Sequence, residues 1–264
     1  MERRKGIMFE CVNQDIDTRA KMIASNGFTN TFSGSYDIGE VEKIKSACDK
    51  NGIEVEFLHA PFDGINNMWL GEEESKSILP RIMQSIDCAS AHGIKTIILH
   101  ASSQWKPPAI TDHGTARYDA LVEYADKKGV CVAIENLRRY GYFGYLIDRY
   151  EDAKNVTYCY DNGHSHCYTD IPVLDVFGKK LSCTHIHDNM GRSKFDRNYN
   201  GDMHLLPFDG NFDFQKMMDK LDELGYEGSL MLEVWKKKEY QNMTDEEFVA
   251  EAYKRAVKLD KLSK

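Results

Sequence analysis

The chain predicts a single (β/α)8 TIM barrel over residues 1–264, and three observations predict it. First, a helix–Gly–strand junction recurs, at Asn26-Gly27-Phe28, Asn51-Gly52-Ile53, His92-Gly93-Ile94, Lys128-Gly129-Val130 and Leu224-Gly225-Tyr226. Glycine just past a helix supplies the left-handed residue that turns the chain back into a strand. Second, eight short apolar runs alternate with amphipathic stretches, the pattern of a parallel sheet covered by helices. Third, no Gly-x-Gly-x-x-Gly follows the first strand, which removes the main support for an open dinucleotide-binding sheet.

The predicted strands are Gly6–Val12, Phe28–Phe32, Ile53–His59, Thr96–His100, Val130–Glu135, Val156–Asp161, Leu181–His187 and Gly228–Glu233. The predicted helices are Val41–Lys50, Glu74–Ala91, Ala116–Lys128, Phe214–Leu224 and Glu246–Leu262, with weaker helical stretches after Tyr140 and Ile171. Pro80 is expected to kink or restart the helix that contains it. No composition break or linker divides the chain, and the length suits one barrel.

Composition bounds the function. With 42% hydrophobic residues the chain can bury a sizeable core. A net charge of −8 argues against nucleic acid as a bulk partner, since phosphate backbones need a basic face. The seven cysteines never form Cys-x-x-Cys, which fits a reducing cytoplasm better than a disulfide framework. No apolar run reaches membrane-spanning length.

Six consecutive predicted strands end in a residue able to bind metal: His59, His100, Glu135, Asp161, His185 and Glu233. In a barrel these ends share one face, where active sites form. A single such residue is commonly structural; the set is hard to attribute to accident. His164 follows Asp161 by three residues, and His187 shares the predicted strand face of His185. Asp202 and His204 lie in a long polar loop. A mixed oxygen and nitrogen set suits Mn2+, Mg2+, Co2+ or Zn2+ without a thiolate.

His59-Ala60-Pro61-Phe62, Ile134-Glu135-Asn136, Tyr160-Asp161-Asn162-Gly163-His164, His185-Ile186-His187-Asp188-Asn189 and Leu232-Glu233 resemble the xylose-isomerase-like TIM barrels. That superfamily contains sugar phosphate isomerases/epimerases and endonuclease IV. The resemblance implies one divalent metal held by Glu135, Asp161, His185 and Glu233, with His164 on the substrate. The seventh-strand ligand of the family precedes an acid by three residues, which selects His185 ahead of Asp188; His187 is the alternative. Glu135 and Glu233 are the implied bases of a proton transfer through a metal-stabilised enediolate.

The resemblance also carries a second function. In an endonuclease IV-like phosphodiesterase acting on abasic DNA, three Zn2+ ions would use His59 and His100 with Glu135, then Asp161, His185 and Glu233, then His164, Asp202 and His204. Against this, Ile7-Met8-Phe9-Glu10-Cys11 lacks the Gly-x-His opening of endonuclease IV, and Asn136-Leu137-Arg138 stands where that enzyme has Thr-Ala-Gly. An inosose-type dehydratase is a further neighbour, because loss of water can follow the same proton abstraction.

The expected partner is therefore a small sugar or sugar phosphate, with a homo-oligomer compatible. His59, His100, Arg138, Trp69, Trp105 and His187 are candidate substrate contacts, Arg138 as the anion contact closest to Glu135 in sequence. Arg192, Lys194 and Arg197 form a basic loop that is a weaker phosphate candidate.

Overall fold

The computed structural model describes residues 2–193 and 201–263. The strands are β1 Lys5–Met8, β2 Asn30–Ser33, β3 Glu54–His59, β4 Thr96–His100, β5 Cys131–Glu135, β6 Val156–Asp161, β7 Leu181–His185 and β8 Leu230–Leu232. All pairings in the sheet are parallel, in the order β7-β6-β5-β4-β3-β2-β1-β8. Between β7 and β8 the barrel closes through the parallel bridge Ile186–Leu232. There Ile186 N donates to Met231 O at 2.8 Å, and Glu233 N to Ile186 O at 3.0 Å.

The helices are α1 Ile16–Ser25, α2 Ile38–Lys50, α3 Glu72–Ser75, α4 Leu79–Ala91, α5 Asp112–Lys127, α6 Tyr140–Arg149, α7 Asn162–Tyr168, α8 Val173–Phe177, α9 Phe214–Glu223 and α10 Asp245–Asp260. The starts of α1, α2, α5, α7, α9 and α10 are capped by side chains that accept from otherwise unpaired amides: Asp15, Asp37, Thr111, Asp161, Asp213 and Thr244. All five junction glycines have positive φ, from 65° to 105°.

Two apolar layers hold the barrel. The larger lies between strands and helices and includes Ile97, Leu99, Val132, Ile134 and the helix faces around Ile86, Leu121 and Phe248. The smaller fills the barrel interior: Met8, Phe32, Phe57, Ile98, Ala133, Cys159, Cys183 and Met231 supply one side chain from each strand. This plug makes the floor on which the polar site rests, because His185 stacks on Phe32 at 4.8 Å.

The expected elements differ mainly at their ends. The first strand stops at Met8, and Phe9–Cys11 form a 3-10 turn. The expected helix Glu74–Ala91 is two helices, with Pro80 in the first turn of α4, where its missing N–H costs no hydrogen bond. The strand expected to reach His187 ends at His185. Among the described residues, no helix is long and apolar enough to cross a membrane.

Candidate metal centre

β3 to β7 deliver His59, His100, Glu135, Asp161 and His185 directly from their last residues, and Glu233 follows β8 by one. Asp202 and His204 arrive by a different route. Asp188 N and Leu205 O, and the reverse pair, are each joined at 2.8 Å, folding the loop back across β7. The Asp188 carboxylate then accepts from the amides of Phe208, Gly210 and Phe212, which pins the loop. Asp188 is thus a structural clamp in this geometry. His204 itself sits at φ 44, a left-handed conformation that costs energy for a residue with a side chain.

The core of the cluster is Glu135, Asp161, His185 and Glu233. One donor atom from each lies within 4.8 Å of every other. His164, Asp202 and His204 meet the same condition as a second group, and His187, His204 and Glu233 as a third. His59 and His100 turn Nε2 towards Glu135 Oε2 at 3.3 and 3.1 Å.

The donor chemistry fits a cation. His59 Nδ1 faces its neighbour's carbonyl, Ala60 O, at 2.8 Å. His164 Nδ1 faces Asn136 O at 3.0 Å, and His204 Nδ1 faces Glu233 O at 3.0 Å. A carbonyl only accepts, so each Nδ1 carries the proton. The Nε2 of each ring then faces a carboxylate: Glu135 for His59, and Asp202 for His164 and His204 at 3.3 and 3.5 Å. Lone pair facing lone pair needs a proton or a metal between, and carbonyl-anchored imidazoles are the arrangement that orients metal ligands. His185 has both ring nitrogens buried without a hydrogen-bond partner, as has Asp161 Oδ2. The site fits a divalent ion with oxygen and nitrogen ligands.

Charge crowding separates the two glutamates. Burial alone would raise Glu135, but His185 and His100 outweigh it and hold the carboxyl well below its ordinary range. Glu233 goes the other way: burial, then the charges of Glu135 and Asp161, push it well above its ordinary value. Burial lowers His100 to about 4, and burial with His187 lowers His204 to about 3. His164 is raised despite burial, by Asp161 and Asp202.

A cavity of about 290 Å³ opens above the cluster, lined among others by His59, His100, Glu135, Arg138, His164, Asp202, His204 and Glu233. Phe62, Ser102, Ser103 and Gln104 also line it, and no motif in the sequence singles out the last three. Gln104 is in the left-handed region at φ 63, a backbone signature that sequence does not display.

Three expected substrate contacts are placed elsewhere. Trp69 is 1% exposed, donates from Nε1 to Ala101 O at 2.7 Å and packs on Tyr118; it belongs to the core. Its proximity to β3 in sequence is overridden by the 3-10 turn Ile65–Trp69, which folds the indole under the loop. Trp105 is exposed, packs edge-on against Tyr168 and does not line the cavity. His187 is fully buried behind Asp161, with Nε2 3.3 Å from Asp161 Oδ1, in the space left by Gly163. Arg192 pairs with Asp170 at 3.0 Å, and Lys194 and Arg197 lie outside the described residues.

The family model described as "Xylose isomerase-like TIM barrel" matches residues 19–257. The uncharacterized protein MJ1311 of Methanocaldococcus jannaschii is 27% identical over 201 residues, covering 70% of this chain. The match spans 66% of that relative, just under two thirds of its length. A xylose isomerase domain protein from Planctomyces limnophilus superposes with a TM-score of 0.78 at 17% identity, covering 99% of this chain and 98% of its own. D-psicose 3-epimerase from Clostridium cellulolyticum H10, solved with D-tagatose, superposes at 0.76 with 16% identity over 100% of both chains. At these identities the structural likeness concerns the fold.

Proposed function

The chain belongs to the xylose isomerase-like TIM barrel family, and on that premise we propose that it is a divalent-metal-dependent sugar isomerase or epimerase working by proton transfer beside a carbonyl. The observation that carries this reading is the convergence of Glu135, Asp161, His185 and Glu233 beneath the cavity. One bound Mn2+, Mg2+, Co2+ or Zn2+ would act as a Lewis acid on the sugar's carbonyl and neighbouring hydroxyl. The likeness to a D-psicose 3-epimerase supports a small sugar as substrate.

The two glutamates take unequal roles. Glu135 is 1% exposed, with His59 and His100 against Oε2 and His164 against Oε1, so both oxygens lie among imidazoles. Among the described residues, the Glu233 carboxylate meets the imidazoles of His185 and His204 at 3.6 Å, keeps 14% of its side chain exposed and faces the cavity. Glu233 is therefore the principal base, taking the proton from the carbon beside the carbonyl. Return of the proton by Glu233 to the adjacent carbon gives isomerisation; epimerisation needs a proton delivered to the opposite face of the same carbon, and Glu135 is the second carboxyl group of the site for that step. His164 and Arg138 are placed on the cavity wall to orient substrate oxygens. Incorporation of solvent deuterium into a panel of ketoses tests the reading. Exchange that stops with chelator and returns with metal supports it, and absence of exchange with every ketose removes it.

A second reading is favoured by one observation. His164, Asp202 and His204 form a complete ligand group of their own beside the central four. With His59 and His100 on Glu135, the cluster has donors for three Zn2+ ions and for phosphodiester hydrolysis.

A further inference from the structure

The cavity over Glu233 does not end at Phe62. His59, Phe62, Asp63 and Glu233 line it on one side and on the other line a second hollow of about 250 Å³. That hollow in turn shares Met8 and Gly34 with an open groove of about 660 Å³ reaching Glu10, Tyr36 and Gln84. The three spaces adjoin one another through these shared walls, beside Phe62, whose ring lies against His100 at 4.6 Å and is 50% exposed. A single monosaccharide bound over Glu233 leaves the outer arm empty.

The outer arm has polar groups with spare capacity. Glu10 lines the arm, its Oε1 accepting from Ser33 Oγ at 2.5 Å. Tyr36 OH accepts from Arg81 Nε at 3.1 Å, which leaves its own proton to donate, while the Arg81 guanidinium lies over its ring at 5.2 Å. The electrostatics exclude a phosphate. Glu10, Asp37, Glu40 and Asp63 line the arm against one cation, Arg81, which is already bonded to Tyr36 and to Asp63 O.

We propose that this arm is a second binding subsite that takes a neutral, hydroxyl-rich extension of the substrate, a glycosyl unit in place of a phosphate. The proposal rests on the sugar reading of the Glu233 site and narrows it to glycosylated sugars.

Gly34 gives the test. It lines both outer spaces, its φ is not in the left-handed region, and a Cβ there meets nothing within 4 Å. Gly34→Phe therefore fills the arm without straining the backbone, and Tyr36→Ala removes the hydroxyl donor as a second variant. Calorimetry on the full chain with Mn2+ compares fructose, isomaltulose (a glucosylated fructose) and fructose 6-phosphate. Isomaltulose is expected to bind about tenfold more tightly than fructose, with fructose 6-phosphate no tighter than fructose. Gly34→Phe is expected to abolish the isomaltulose increment, and Tyr36→Ala to reduce it, with fructose binding retained. The proposal is overturned if fructose 6-phosphate binds most tightly, if the increment survives Gly34→Phe, or if none of the three binds. Deuterium exchange separates the two ideas. An increment without exchange keeps the subsite and removes the proton transfer, and exchange without an increment does the reverse.

Discussion

The imidazoles of His187 and His204 lie stacked, with ring centroids 3.8 Å apart and planes inclined by 15°. His187 reaches that position because residue 163 is glycine, and a Cβ there would run into the His187 ring. Asn162 fixes the backbone on either side, donating to His187 O at 2.9 Å and accepting from His187 N at 3.0 Å. One turn of chain after β6 thus sets the seat of a histidine after β7, and through it the ring of His204.

Gly163→Ala is expected to destabilise the fold by about 1–3 kcal/mol through overpacking and to weaken metal retention, because the displaced ring presses on Asp161 and His204. Chemical denaturation and metal titration read the two effects. A variant with wild-type stability and wild-type metal affinity would show that the His187 seat is unimportant.

Gly52→Ala provides the contrast. Gly52 has φ +72 and open space around its missing Cβ, so the cost is backbone conformation alone. A loss of about 1–2 kcal/mol is expected, with metal binding unchanged. Equal metal losses in both glycine variants would mean that general destabilisation, not the His187 contact, governs the site.

Trp69→Ala is expected to cost about 3–5 kcal/mol of stability, as for other buried aromatics, since the indole is held by Ala101 O and Tyr118. Sugar affinity of the folded fraction should be unaltered. A large fall in affinity with little change in denaturation midpoint would return Trp69 to the substrate site.

Elemental analysis discriminates the two functional readings. The isomerase reading expects about one divalent ion per chain at the central group, retained in His164→Ala and His204→Ala. Three zinc ions in the wild type, with loss of one in either variant, would favour the phosphodiesterase.

The barrel was legible because its signals are local. Gly27, Gly52, Gly93, Gly129 and Gly225 each announce a left-handed turn from their own residue type, and the structure has all five at positive φ. The ends of β3 to β6 were readable to the residue, since His59, His100, Glu135 and Asp161 interrupt apolar runs. The interior of the site was less legible because it depends on long-range folding. Trp69 reads as a mouth residue until the 3-10 turn buries it. His187 reads as the twin of His185, yet the strand ends at His185 and the two rings serve different groups. Asp202 and His204 stand far from any strand end in sequence, and the Asp188–Leu205 bridge, with the Asp188 carboxylate pinning the loop, brings them to the cluster. The outer arm joins Glu10, Gly34 and Tyr36, no two of which form a motif.

The most direct test is solvent deuterium exchange by wild type and Glu233→Gln at matched metal content. Glutamine keeps an oxygen towards the ion and removes the base. With a ketose that the wild type exchanges, the variant is expected to retain metal and lose exchange by about 10²–10⁴-fold. Exchange at the wild-type rate in the metal-loaded variant would contradict Glu233 as the base. A wild type that exchanges no ketose but cleaves abasic-site DNA would contradict the sugar reading altogether.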